Sequence, residues 1–145
     1  MPLHPNDSPG FLLWHATLRW QRDITRALRP LELTHVQFVL LACAWWMNGQ
    51  GERPSQVELA AFAGTDVKMT SAVIRGLERK GLVTRESDPK DSRAVRIRTT
   101  RVGARLAQRA IAVVEDVDRW FFEGVPASDV RRFLGRLAHS SPTSA

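Results

Sequence analysis

The stretch that decides the fold runs from Ser55 to Thr100, SQVELAAFAGTDVKMTSAVIRGLERKGLVTRESDPKDSRAVRIRTT. Ser55 followed by Glu58 is a capping box, and it opens a short helix through Leu59, Ala60, Ala61 and Phe62. Gly64 stops that helix. Thr65 or Asp66 caps the next one, which ends at Lys80 with Gly81 at its boundary. Two helices joined across a glycine turn predict a helix-turn-helix. Leu82 to Glu86 then reads as a strand, Ser87 to Ser92 as a turn-rich loop, and Ala94 to Thr99 as a second strand. In the second strand Val95 and Ile97 alternate with Arg96 and Arg98, which gives one apolar and one basic face. A helix-turn-helix followed directly by a basic hairpin predicts a winged helix-turn-helix.

The second of these helices has two distinct sides. At about 100° per residue, Thr70, Val73, Ile74 and Leu77 fall on a core face, and Lys68, Ala72, Arg75 and Arg79 fall opposite, with Ser71 at the edge. A helix with that cationic face suits a major groove, where arginine bonds guanine O6 and N7 in pairs. The charge distribution agrees. Residues 79–109 hold ten basic and three acidic groups, a balance of +7, in a chain whose total is +6. Eight of the ten are arginine, whose planar fork suits phosphates and base edges. A solvated charged hairpin is the bland alternative. The capping boxes, the glycine turn and the hairpin in series favour a polyanion partner instead.

Outward from this lobe the pattern is helical. Residues 1–10 hold three prolines and a glycine and read as an N-terminal arm. From Phe11 to Leu28, Leu13, Ala16, Trp20, Ile24 and Ala27 recur at steps of three and four, while Phe11, Trp14 and Leu18 form a second stripe. A helix with two apolar stripes must bury both, one in its own core and one against a partner. Thr34 and Gln37 form another capping box, stapled by Leu33 and Phe38, and the helix after it is apolar all round to Met47. Thr100 begins a long helix through Phe121, and a last helix spans about Ser128 to Ala138. The expected fold is mainly α with a small β-hairpin wing, in one domain over residues 1–145. Residues 34–99 form the winged helix-turn-helix lobe, 11–33 and 100–139 a helical dimerisation lobe, and 140–145 a flexible tail.

The segments Ser55 to Ala60, Leu77 to Val83 and Asp88 to Arg93 resemble the MarR family of transcriptional regulators. The resemblance extends from about Phe11 to Ala138. It implies a homodimer that sets one winged helix on each half-site of a pseudo-palindromic duplex, most often as a repressor released by a small aromatic ligand. It also implies that Arg93 is a wing-tip arginine entering the minor groove, and that Asp91 braces the hairpin by pairing with an arginine. Two departures stand out. Ala72 sits where relatives often carry arginine, which leaves base readout to Lys68 and Arg75. Thr99 replaces an apolar wing anchor, which predicts a looser hairpin. The expected DNA-contacting residues are Ser55, Gln56, Lys68, Thr70, Ser71, Arg75, Arg79, Lys90, Asp91, Arg93, Arg96 and Arg98. Trp14, His15, Trp45 and Trp46 are expected to line an effector cavity between the two lobes.

Other functions are poorly served by these residues. The chain is 43% hydrophobic and 25% charged over 145 residues, an ordinary globular balance. Met1 to Gly10 has neither a basic nor an apolar signal region, and the longest apolar run, Phe38 to Met47, is too short to span a bilayer, so a cytoplasmic place is expected. Cys43 has no partner for a disulfide, and an apolar setting predicts an inert thiol. His4, His15, His35 and His139 lack the spacing of a metal site. No nucleophile elbow, phosphate loop or apolar carboxylate pair points to an enzyme, and no cofactor or membrane partner is expected. A winged-helix protein-interaction module without DNA binding is the alternative from another class; it has no need of a +7 hairpin segment.

Overall fold

The computed structural model describes residues 1–140. The expected tail therefore lies, from residue 141 on, outside the described residues. Among the described residues six α-helices and one hairpin follow in order: α1 (Pro9–Leu28), α2 (His35–Gly49), α3 (Gln56–Ala63), α4 (Val67–Arg79), β1 (Val83–Asp88), β2 (Asp91–Thr99), α5 (Arg101–Phe121) and α6 (Ala127–Ala138). The architecture is the mainly α, winged helix-turn-helix fold that the sequence predicts.

Local chemistry sets most of the boundaries. The Thr34 hydroxyl accepts the Gln37 amide at 3.1 Å while the Gln37 side chain accepts the Thr34 amide at 3.1 Å, a complete capping box. Ser55 caps α3 in only one direction: its hydroxyl accepts the Glu58 amide at 3.1 Å, and the Glu58 carboxylate goes elsewhere. Of the two candidates before α4, Asp66 is the cap, accepting the Met69 amide at 2.9 Å. Gly64 and Gly81 take positive φ values of 74° and 73°, the left-handed region where a side chain would be strained.

The N-terminal arm is shorter than expected. A 3-10 turn over Pro5–Asp7 is followed by Ser8, whose hydroxyl accepts the Phe11 amide, and Pro9 occupies the first turn of α1. Serine before proline is a helix start, because the proline lacks the amide that would go unpaired there. The hairpin is longer than expected. Ser87 and Asp88 join β1 and Asp91 joins β2, with Asp88 opposite Asp91 and a register shift after Ser87. Only Pro89 and Lys90 remain as the turn, so the turn-rich composition marked the tip of a ladder, not a loop.

The core gathers one face of every element but α6. Ile24 and Leu28 of α1, Leu40, Leu41 and Ala44 of α2, Leu59 of α3, Ile74 and Leu77 of α4, Ile97 of β2, and Ala107 and Ala110 of α5 are all fully buried. The central helix is α2, which packs on α1, α3, α4, α5 and β2. Its cover is incomplete: Trp46 is 47% exposed and stacks on Phe62 of α3, with ring centroids 5.5 Å apart. Val95, expected beside Ile97 on the apolar face, is exposed, while Ile97 is fully buried. At the far end, Leu12 and Leu13 of α1 and Phe133, Leu134 and Leu137 of α6 line an apolar groove of about 700 Å³. Leu13 and Phe133 there are 55% and 64% exposed.

The first turn of α5 also approaches the junction between α4 and β1 closely. The Thr100 hydroxyl donates to the Gly81 carbonyl at 2.6 Å and accepts the Gly103 amide at 3.0 Å, while the Thr100 amide donates to the Leu82 carbonyl at 3.0 Å. The first turn of α5 is thereby pinned to the junction between α4 and β1.

Candidate nucleic-acid interface

Helix α4 rests on the core through Thr70, Val73, Ile74 and Leu77, of which Thr70, Ile74 and Leu77 are fully buried. Thr70 is therefore not available to a partner. Its hydroxyl donates to the Asp66 carbonyl at 2.7 Å and lies 2.7 Å from the Thr65 hydroxyl, closing the turn between the two helices. Its angle along α4 already placed it on the core face, and the buried hydroxyl is satisfied locally. The opposite face exposes Lys68, Ala72, Arg75 and Arg79, with Ser71 half-buried at its edge. Among the described residues, Lys68, Arg75 and Arg79 form no ion pair. Lys80, one residue on, is engaged: its ammonium donates to the Glu32 carbonyl and, at 3.1 Å, to the Gln37 side chain. Val67 and Met69 stand exposed in the first turn, a pair of apolar side chains that the charge pattern did not single out. Ser55 and Gln56, half-buried at the start of α3, lie in sequence ahead of this turn.

The hairpin divides its cations into two groups. Arg96 is braced on both sides, by Glu58 of α3 at 3.1 Å and Asp88 of β1 at 3.1 Å. The Lys90 amide and then Arg96 hold the Asp88 carboxyl below the usual carboxylate range. Arg98 lies 3.8 Å from Glu86, and Arg85 lies 3.3 Å from Glu78. The alternation that gave β2 a basic face thus meets acids on β1 and α3, and that face is largely neutralised. Lys90 and Arg93 at the tip are exposed, with no ion pair among the described residues. The bracing role expected of Asp91 belongs to Asp88. Asp91 opens β2, and its carboxylate accepts the amide of Arg93 at 3.0 Å, two residues along its own strand. Asp88 instead reaches Arg96 diagonally across the ladder.

Thr99 does not leave the wing loose. Its amide and hydroxyl both donate to the Asn48 side-chain oxygen, at 2.8 and 3.2 Å. The Asn48 side-chain nitrogen donates to the carbonyls of Glu52 at 2.9 Å and Ile97 at 3.2 Å. A polar clamp from the end of α2 thus replaces the apolar anchor. Asn48→Ala should cost about 2 kcal/mol, because it leaves a partly buried strand amide unpaired. The cost should appear as a lower melting temperature and faster hydrogen exchange at the base of β2. Exchange like that of the native chain would show that the clamp holds nothing.

The expected effector residues are not gathered. Trp14 is 62% exposed on α1, and His15 packs edge-on against Phe11 with ring centroids 4.4 Å apart. Trp45 is half-buried against the core, and Trp46 faces Phe62. None of the four lines the apolar groove or the polar grooves along α1. The aromatic cluster that does join α1, α2 and α5 is built on Trp20. Its indole donates to the Asp118 carboxylate at 2.8 Å, and its ring meets His35 edge-on at 5.1 Å. Burial holds the His35 imidazole below its ordinary pKa, with Asp118 pulling the other way. Burial also pushes the Cys43 thiol up, which keeps it protonated. Among the described residues no three His, Cys, Asp or Glu stand close enough to hold a metal ion, and no helix is long and apolar enough to cross a membrane.

The comparisons with known proteins agree with this geometry. The profile described as the MarR family matches residues 33–95. The HTH-type transcriptional regulator YdcH of Bacillus subtilis is 46% identical over 118 residues, which cover 81% of this chain and 80% of the relative. The HTH-type transcriptional repressor Rv2887 of Mycobacterium tuberculosis is 33% identical over 133 residues, 91% of this chain and 93% of the relative. Among solved structures, CouR from Rhodococcus jostii RHA1 bound to p-coumaroyl-CoA superposes with a TM-score of 0.83 at 30% identity, covering 99% of this chain and 100% of that one. The chain belongs to the MarR family of transcriptional regulators, a family of DNA-binding winged-helix proteins and not of enzymes.

Proposed function

We propose that the protein is a homodimeric repressor that works in the cytoplasm, holds a pseudo-palindromic operator and lets go when a small aromatic ligand binds. Residues 34–99 carry the DNA, and residues 11–33 and 100–139 make the dimer. The observation that carries the reading is the division of cations in the lobe. Lys68, Arg75 and Arg79 on α4 and Lys90 and Arg93 at the wing tip have no acidic partner among the described residues, whereas Arg85, Arg96 and Arg98 are paired. The unpaired group lies on the exposed side of one helix and at one hairpin tip, the two features that reach a major groove and the neighbouring minor groove. Lys68 and Arg75 read bases, with Ser71 beside them. Ser55 and Gln56 at the start of α3 meet the backbone, and Arg93 enters the minor groove while Asp91 orders its turn. Arg96 acts indirectly, by stiffening the wing against α3. The apolar groove between α1 and α6 supports a second copy, since a patch of that kind is seldom left in water. A relative named a repressor at 33% identity supports the sign of regulation. A structural neighbour bound to an aromatic acyl thioester supports an aromatic effector. That effector sits not among the scattered tryptophans but in the groove beside His35, lined also by Gln21, Thr25, Val36, Val39, Ala63 and Thr65.

Arg75→Ala should cost about 1–3 kcal/mol of operator affinity and relax the preference for one base pair in each half-site. Arg93→Ala should weaken binding chiefly at A·T-rich flanks, where a narrow minor groove attracts arginine. A mobility shift with the duplex upstream of the protein's own gene, with single-base variants, measures both. Native binding by both variants would overturn the interface and favour a winged helix that meets proteins instead.

A further inference from the structure

The first turn of α4 offers few hydrogen-bonding side chains to a base. The Asp66 carboxylate accepts the Met69 amide at 2.9 Å and so closes the helix end. Thr70 is fully buried, and its hydroxyl is satisfied by the Asp66 carbonyl and the Thr65 hydroxyl, both at 2.7 Å. Of the side chains at 67–70, that leaves Lys68 as the polar one that faces out, with no ion pair among the described residues. Val67 and Met69 beside it are 48% and 42% exposed. Around the helix, Met69 falls about 60° from Ala72, one turn on, and about 160° from Val67. Met69 and the exposed Ala72 therefore make an apolar strip, with Lys68, Arg75 and Arg79 running alongside it and Val67 alone at the other edge. The strip ends at Gly76, where the Arg79 guanidinium lies 3.8 Å from the place a Cβ would take.

We propose that Met69 and Ala72 read thymine, packing on the C5-methyl groups of two adjacent A·T pairs in each half-site. The inference rests on the placement of α4 in the major groove given above, and it adds a readout that the cations of α4 do not supply. The thymine methyl is the apolar feature of the major groove, whose other marks are hydrogen-bond donors and acceptors. An apolar side chain that reaches the base edges therefore gains most against thymine. The N-terminal residues of a recognition helix are the ones that meet base edges, and Met69 lies in the first turn. Met69 and Ala72 stand about 4.5 Å apart along the helix axis, close to the rise of about 3.4 Å between successive base pairs, so each faces its own pair. Methionine suits the edge of the strip, because its unbranched side chain adapts to a methyl group approached from the side. Single exposed apolar residues are ordinary on a protein surface. This pair differs in its setting: it lies beside three cations without acidic partners, which draw a polyanion onto that side of the helix.

Replacing thymine by uracil tests the assignment, since uracil lacks only that methyl and keeps the pairing edge and the O4 acceptor. The full chain first selects a duplex from a random pool. Each thymine of that duplex is then changed in turn to uracil, and binding is followed by fluorescence anisotropy. In each half-site, uracil at two adjacent pairs should weaken binding by about fourfold each, the effect of leaving one methyl group unburied. Met69→Ala should keep the native melting temperature and bind the thymine and uracil duplexes alike at one of these pairs. Ala72→Gly should do the same at the neighbouring pair. The comparison is a ratio within one variant, so any general weakening caused by glycine in a helix cancels. Native binding that is indifferent to uracil at every position overturns the proposal, as does a uracil effect that stays at full size in either variant. A chain that selects a duplex but ignores its methyl groups removes this inference alone. A chain that selects no duplex removes the placement of α4 in DNA, and this inference with it.

Discussion

Gly103→Ala will destabilise the protein by about 3 kcal/mol or more, a shift of roughly 10 °C in melting temperature for a chain of this length. A Cβ at position 103 would lie 1.9 Å from the Leu82 carbonyl oxygen and 2.8 Å from its carbon. Both atoms are backbone, and that carbonyl already accepts the Thr100 amide, so no side chain can swing aside to make room. Relief requires the first turn of α5 to lift off the junction between α4 and β1. That movement breaks the Thr100 hydrogen bonds to Gly81 and Leu82, and with them the fixed angle between the long helix and the winged lobe. Operator affinity should therefore fall further than the loss of folded protein explains. Thermal unfolding checks the first effect and a mobility shift at a temperature where the variant is fully folded checks the second. A melting temperature within a degree or two of native would mean that the close approach is not tight.

In the proposed homodimer, Leu13→Glu or Phe133→Glu should separate the protomers and reduce operator affinity by roughly a hundredfold or more, because each winged helix then binds its half-site without the other. Both side chains are more than half exposed in the single chain, and both line the apolar groove between α1 and α6. Covering a leucine or phenylalanine stabilises an interface by about 1.5–3 kcal/mol, and a carboxylate in its place must be desolvated without a partner. Because neither residue belongs to the core of its own chain, the monomer should still fold. Sedimentation velocity distinguishes the two species. Variants that remain dimeric, or monomers that hold operator as tightly as the native protein, would overturn this arrangement.

The features legible in the sequence are those that depend on residues a few positions apart. The Thr34–Gln37 box, the caps at Ser55 and Asp66, the left-handed Gly64 and the exposed cationic side of α4 each follow from a spacing of four or less. The start of α1 was legible too, in Ser8-Pro9, but the surrounding prolines read as an arm. What escaped reading lies between distant segments. Asn48 meets Thr99 across 51 positions, and nothing local marks an asparagine near the end of an apolar helix as the anchor of a wing. Glu58 looked like half of a capping box, yet its carboxylate serves Arg96, 38 positions on. For that reason the basic face of β2 is balanced in the fold although it is unbalanced in the sequence. The tryptophans misled in the same way. Their number suggests a cavity, and only their packing separates Trp20, which donates to Asp118, from Trp14, which is largely exposed, and Trp46, which stacks on Phe62 at the surface.

The central claim is that a dimer of this chain holds duplex DNA through α4 and the wing tip. Its most direct test is the salt dependence of operator binding, followed by fluorescence anisotropy on a labelled duplex from the protein's own upstream region. Five unpaired cations face this surface in each protomer, and three phosphate contacts from each would give a log–log slope of about −5. A slope of that size is expected, with one dimer per duplex, and it should become shallower by about two for each phosphate-contacting residue removed from both protomers. A flat salt dependence, or binding by a single protomer, would contradict it.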